Sequence, residues 1–261
     1  MAAFAREVFE VERARLGLTL GAPLVWREQT ASTSDDATAA AQSGAAHGAL
    51  FGAETQTRGR GRRGSEWLSE PGAGLWFSLL LRPRFGPELL PGVALAAGLA
   101  VRQAVAARLT VSVQVKWPND VLADNRKIAG ILAESQLAGA RISSVIVGIG
   151  INVTQREFPA PIREIATSLA QLSARDKSRE LLLASVLCEL EAELERLTSG
   201  GLGAVADALA AHDALLGRRL RVDAREGRGA GIDPSGRLRL RALDGAEQLI
   251  ASGHVELLGD G

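Results

Sequence analysis

One run between two apolar segments excludes a whole class of folds. Residues 59–64 read GRGRRG, which fits the G-x-G-x-x-G pattern of a dinucleotide-binding turn. That turn needs a strand before it, a helix opening on its last glycine, and an acidic residue about 20 positions further on. "ALFGAET" (49–55) supplies the strand. The next segment is "SEWLSEPGAGLWFSLLL", in which Pro71, Gly72 and Gly74 lead into a second strand. No helix N-terminus stands behind Gly64, so the chain is not a doubly wound dinucleotide fold. The glycine–arginine run is a strand-to-strand loop.

The remaining elements describe an α/β (α+β) protein whose mixed β-sheet is flanked by helices. "STSDDATAAAQSG" (32–44) has hydroxyls to cap a helix, acids in the first turn and Gly44 to stop it. "ELLPGVALAAGLAVRQAVAARL" (88–109) is a long Ala-rich helix, too apolar all round to face solvent. "VQVKWPNDVL", "KIAGILAES" and the β-branched "SSVIVGIGINV" read as strands around an Ala-Asp-Asn-Arg turn. "SRELLLASVLCELEAELERL" repeats leucine at helical spacing, and "LGAVADALAAH" adds a further helix. From Gly217 onward short alternating strands are punctuated by Asp-Gly and Pro-Ser-Gly turns. This division predicts an N-terminal extension (1–24), a main α/β domain (25–213) and a small SH3-like β-barrel (214–261).

Composition narrows the function. The 30 Lys and Arg balance 30 Asp and Glu, so no field of the whole molecule attracts nucleic acid or acidic membranes. The single cysteine, Cys188, excludes an internal disulfide and fits a cytoplasmic protein. It lies on an apolar helix and reads as core. No stretch looks like a signal peptide or reaches the roughly 18 apolar residues of a membrane span. His47, His212 and His254 have no zinc-ligand spacing, so no protein-built metal site is expected.

Four arginines, Arg58, Arg60, Arg62 and Arg63, crowd the loop. A solvated basic turn and a nucleic-acid contact are both open readings. A third is local anion binding, in which glycines let backbone N–H groups approach a compact polyanion and guanidinium forks neutralise it. Mutual repulsion then predicts a loop that stays mobile until an anion arrives. Lys116, at the end of an apolar strand and followed by Trp117 and Pro118, is either a snorkelling lysine or a point charge for a developing negative charge.

The chain resembles the biotin protein ligases in "STS" (32–34), "AETQTRGRGRRGSEW" (53–67), "KWPNDVL" (116–122), "KIAGILAE" (127–134) and "GIGINV" (148–153), with "ATSL" (166–169) a weaker match. The motifs stand in the family's order, and the resemblance runs from about residue 25 to 260. It implies activation of biotin by ATP with Mg²⁺ to biotinyl-5′-AMP, then transfer to a lysine of a biotin carboxyl carrier domain. It implies a biotin site of Ser32, Thr33, Ser34, Gln56, Gly59, Arg60, Gly61, Arg62 and Lys116. Lys116 and Arg60 would be catalytic, and Arg62, Trp67, Asn119 and Asn152 would serve the nucleotide. Asn119 and Asn152 suit turn-pinning equally well. Two positions depart from the pattern: Ser34 stands where Asn is common, and Arg58 where a small residue is usual. Some relatives carry an N-terminal DNA-binding module; only 31 residues precede Ser32, so the expectation is a ligase that binds no specific nucleic acid. The rival functions are lipoate ligation and a non-catalytic nucleic-acid-binding module.

Overall fold

In a computed structural model, which describes residues 3–139 and 141–259, two sheets share one apolar core. The larger sheet has seven strands. In chain order they are β1 (Leu24–Thr30), β2 (Leu50–Gln56), β3 (Gly74–Leu81), β4 (Val113–Lys116), β5 (Asp120–Ala123), β6 (Arg126–Ala138) and β7 (Arg141–Asn152). Their spatial order is β1-β2-β3-β7-β6-β5-β4, with only β1 and β2 parallel. Every residue of β3 is buried, as is β7 from Ser144 to Asn152. That is why both read as near-continuous apolar runs: helices cover one face throughout and the other as far as Ile146.

On one face lie α3 (Leu90–Ala106) and α4 (Arg179–Ala210). Alternate β7 residues Val145, Val147, Ile149 and Ile151 point to this side and join the main core. The two helical segments expected after Ser178 are one long element interrupted at Gly201, whose φ of 70° breaks the helical path. Contrary to expectation, Pro87–Ala106 is long and apolar enough to cross a membrane (mean hydropathy 1.6). Its apolar surface is spent inside the protein, where Gly92–Val101 is buried almost throughout against α4 and the sheet. On the opposite face α2 (Thr33–Gln42) seats Ala37 and Ala41 over Phe51, Leu80 and Ile146.

The first residues are part of this body. Helix α1 (Arg6–Arg15) packs on α4 and buries Phe9. Phe4 stacks on Trp26 at 3.7 Å, and Glu54 gathers the Phe4 N–H, the Trp26 Nε1–H and the Arg179 guanidinium at 2.7–2.9 Å. This buried knot fixes the end of β2 just before Gln56.

The C-terminal strands are β8 (Arg219–Val222), β9 (Arg225–Ile232), β10 (Leu238–Arg241), β11 (Glu247–Ile250) and β12 (Val255–Leu257). They form an antiparallel sheet in the order β11-β10-β9-β8-β12. The strands fall where the sequence predicts them. The ladder is linear, with β11 and β12 at its two ends, so the structure supports a small all-β unit and not specifically an SH3-like barrel. Leu220, Val222, Leu238 and Leu240 turn inward to the shared core.

Candidate active site

The face of β7 that carries Ile146 beneath α2 continues as Gly148 and Gly150, and there the sheet is bare. Gly150 pairs with Gly130 of β6, and Gly148 with Ser78 of β3. These glycines serve close approach: a Cβ on Gly150 would lie 2.5 Å from the Trp67 ring, and one on Gly148 2.8 Å from Ser34 Oγ. Above this floor opens a cavity of about 530 Å³, within the range of small-molecule sites.

Uncharged polar groups close one end. Gln56 Oε1 accepts from Thr33 N at 2.8 Å and Thr33 Oγ1 at 3.1 Å, while the hydroxyls of Thr33 and Ser34 meet Ser78 Oγ at 2.8 and 3.0 Å. Ser32 is the N-cap of α2, but its hydroxyl makes no capping bond, contrary to expectation. The hydroxyls of Thr33 and Ser34 are drawn into a buried polar cluster with Ser78, at the end of the cavity that Ser32 also lines.

Cations occupy the middle. Lys116 ends β4, and its cross-strand partner on β5 is Asp120. Asp120 Oδ1 lies 2.7 Å from Lys127 Nζ in an ion pair. Burial holds the Lys116 ammonium below the usual lysine value; Asp120 opposes that shift and Lys127 adds to it. The turn carrying Lys116 is braced from two sides. Trp117, buried, donates from Nε1 to Gly236 O at 3.0 Å in the β9–β10 turn. Asn119 Nδ2 donates to Ile131 O at 2.9 Å, and Asn119 O accepts from Ile131 N at 2.8 Å.

Trp67 forms the far wall. Its ring lies on Gly130 and Gly150, Lys127 Nζ sits 5.2 Å from its centroid, and its buried Nε1 has no hydrogen-bond partner among the described residues. An aromatic face beside a lysine suits a heteroaromatic ligand ring.

The arginine loop covers the opening, and the fold gives two of its arginines carboxylate partners. Arg60 reaches Asp35 at 2.8 Å and Glu134 at 3.2 Å, and Arg63 reaches Asp223 at 2.8 Å. Arg62 has no carboxylate partner among the described residues; it makes a long 3.4 Å contact to Asn119 Oδ1. Burial first, then neighbouring Arg63, holds its pKa below the usual arginine value. The predicted mobility from repulsion therefore omitted three carboxylates that the fold brings to the loop. The cavity wall carries Arg60, Arg62, Arg63, Lys116 and Lys127 against only Glu66 and Asp120.

Comparison with known proteins agrees with this arrangement. Residues 27–152 match the Biotin/lipoate A/B protein ligase family. Over 259 residues the chain is 36% identical to a biotin–[acetyl-CoA-carboxylase] ligase of Mycobacterium tuberculosis, with 94% of each chain covered. It is 34% identical to the bifunctional ligase/repressor BirA of Bacillus spizizenii, over 93% of this chain and 77% of that one. The chain belongs to the biotin protein ligase family. Its fold matches the Aquifex aeolicus biotin protein ligase in complex with biotin and ATP with a TM-score of 0.77 and 31% identity, covering 90% of this chain and 98% of that one.

Of the residues that the ligase resemblance singles out, Ser32, Thr33, Ser34, Gln56, Arg60, Gly61, Arg62, Trp67, Lys116 and Asn119 line the cavity. Gly59 and Asn152 do not. Gly59 is buried where a Cβ would run into the Trp67 carbonyl, so it shapes the loop. Asn152 spends its amide on Thr167 O at 3.0 Å and Gln155 Nε2 at 3.4 Å. Lys127, Asp120 and the glycine floor were missed as site residues. Their signals were present: a three-residue turn sets Lys116 opposite Asp120, and G-I-G in a strand clears one face.

Proposed function

We propose that the protein is an ATP-dependent biotin protein ligase that forms biotinyl-5′-AMP and passes the biotinyl group to a lysine of a carboxylase carrier domain. The carrying observation is that Lys116 and Arg62, neither with an ion-pair partner among the described residues, stand in the cavity with Lys127 between a neutral polar end and an aromatic wall. Biotin carboxylate and Mg²⁺-ATP together bring about three negative charges, whose mutual repulsion the cations offset. Mg²⁺ travels with the nucleotide, since it keeps most of its ligands as water and phosphate oxygens.

Biotin's ureido ring is assigned to Ser32, Thr33 and Gln56, with Ser34 behind them through Ser78. The adenine is assigned to Trp67, whose ring lies on the glycine floor beside Lys127. A biotin carboxylate oxygen attacks the α-phosphorus as the bond to the β-phosphate breaks, and pyrophosphate leaves. Lys116, fixed on its braced turn, stabilises charge between the two groups, and Lys127 and Arg62 flank it. Arg60, engaged by two carboxylates, holds the loop and keeps water from the mixed anhydride. The neutral amine of the carrier lysine then attacks the acyl carbon, and AMP departs. A cytoplasmic location supplies ATP and keeps Cys188 a thiol.

ATP–pyrophosphate exchange tests this with biotin, with lipoate and with neither. Exchange that depends on biotin is expected. Exchange with lipoate alone would move the protein to the other branch of its family, and none with either acid would refute the ligase reading.

A further inference from the structure

The arginine loop spans residues contributed by two different sheets, and the two anchors differ in kind. At its start Arg60 is tied to α2 and β6 of the larger sheet through Asp35 and Glu134. At its end Arg63 crosses to the small C-terminal sheet. Arg63 Nη1 donates to Asp223 Oδ1 at 2.8 Å and Nη2 to Oδ2 at 3.5 Å. Among the described residues these are the only hydrogen bonds between residues 58–66 and the C-terminal sheet.

Asp223 is not a free surface acid. Its Oδ1 also accepts the His254 N–H at 3.0 Å, and its own N–H donates to His254 O at 3.1 Å. Gly253, His254 and Val255 form the C-terminal wall of the cavity, so one carboxylate joins that wall to the loop. Arg63 and Asp223 both adopt left-handed backbone conformations, φ 54° and 51°. Such turns, uncommon outside glycine, present the two side chains to each other. The Arg63 guanidinium, and then the His254 N–H, hold the Asp223 carboxyl below its ordinary range.

We propose that Asp223 is a positioning residue: by holding Arg63 it fixes the loop over the cavity and sets how long biotinyl-AMP is retained before transfer. This rests on the ligase reading above. Asp223 touches no substrate; it acts through Arg63, the immediate neighbour of the cavity-facing Arg62. Because the pair is exposed, its strength falls with ionic strength and its effect is modest.

Asp223→Asn separates this role from a structural one. Asparagine keeps an oxygen to accept the His254 N–H and tolerates the left-handed turn, but it loses the charge that holds Arg63. The measurement is release of preformed biotinyl-AMP from wild type, Asp223→Asn, Arg63→Ala and the double variant, beside a melting curve. Asp223→Asn is expected to release the adenylate roughly two- to fivefold faster with unchanged melting, and to add nothing in the Arg63→Ala background. Salt is expected to speed wild-type release toward the variant's rate. Equal release from Asp223→Asn and wild type overturns the proposal, as does an acceleration that persists without Arg63. Loading preformed adenylate keeps this test separate from the exchange assay, which judges the ligase reading.

Discussion

The turn carrying Lys116 and the loop carrying Arg62 both link neighbouring strands and both aim a cation into one cavity, but they are fastened differently. The Lys116 turn joins β4 to β5 across three residues and is held by bonds of buried and half-buried groups: Trp117 to Gly236, and Asn119 to Ile131 in both directions. The loop joins β2 to β3 and is held at Arg60 and Arg63 by ion pairs open to water. Buried polar bonds are expensive to break, whereas exposed ion pairs are worth at most about 1 kcal/mol. A charge that must meet a transition state needs the first kind of support. A cover that must admit substrates and release an intermediate needs the second.

The largest expected effect comes from removing the rigidly held charge. Lys116→Ala should lower single-turnover biotinyl-AMP formation by about 10²–10³ at saturating biotin and ATP, in line with loss of one preorganised donor. Lys116→Arg should not restore it, since a planar fork replaces a compact ammonium. A fall smaller than about threefold in the alanine variant would equate the turn with a mere strand end. Because burial depresses Lys116, adenylate formation should fade as pH rises, beginning below the 10.5 of an ordinary lysine. In that window the unfolded chain binds the extra proton, so this group's contribution to stability grows with pH while activity falls. Parallel rate and melting profiles that decline together would contradict that sign.

Arg62 belongs to the loop but faces inward, and so should behave between the two extremes. Arg62→Ala removes a half-buried charge from the adenylate without removing core. Loss of a charge-assisted bond worth roughly 1.5–3 kcal/mol should speed release of preformed biotinyl-AMP about tenfold to a hundredfold. Melting should shift little. Release at the wild-type rate would remove Arg62 from the site.

The same contrast governs what the sequence disclosed. The end of the Lys116 strand was legible because its determinants are local, a lysine ending an apolar strand and then Trp-Pro, whereas the return into β5 was hidden inside what read as one continuous stretch, VQVKWPNDVL. The glycine floor was equally local, written as alternate glycines in β7 opposite Gly130. The loop's glycines and arginines were obvious, yet its fastening was hidden. Arg63 and Asp223 lie 160 residues apart and Arg60 and Glu134 lie 74 apart, and no local pattern pairs them. Parallel strand β1 went unseen for a related reason: its partner β2 comes only after α2, without the tight turn that announces a hairpin. Asn152 left two readings open in the sequence, ligand contact or turn-pinning, and its amide is engaged by Thr167 and Gln155, which favours the second.

The smallest effect, and the sharpest test of the contrast, concerns Arg60. A catalytic role in the reaction would make Arg60→Ala resemble Lys116→Ala, with a fall of about 10² or more in adenylate formation. The geometry assigns it differently. Its guanidinium is shared between Asp35 at 2.8 Å and Glu134 at 3.2 Å, on side chains that are 42–48% exposed. Two carboxylates already neutralise it, so little field remains for a third anion, and water screens what does. Such a contact contributes no more than about 1 kcal/mol, so Arg60→Ala should change adenylate formation by less than roughly fivefold. Its main effect should fall on release, and salt should reproduce much of it in the wild type. Asp35→Asn with Glu134→Gln supplies the converse variant, keeping Arg60 but freeing it from both partners. If Arg60 only anchors, that double variant and Arg60→Ala should release the adenylate at similar rates. If Arg60 is a catalytic cation held in reserve, freeing it should preserve or raise adenylate formation while Arg60→Ala abolishes it.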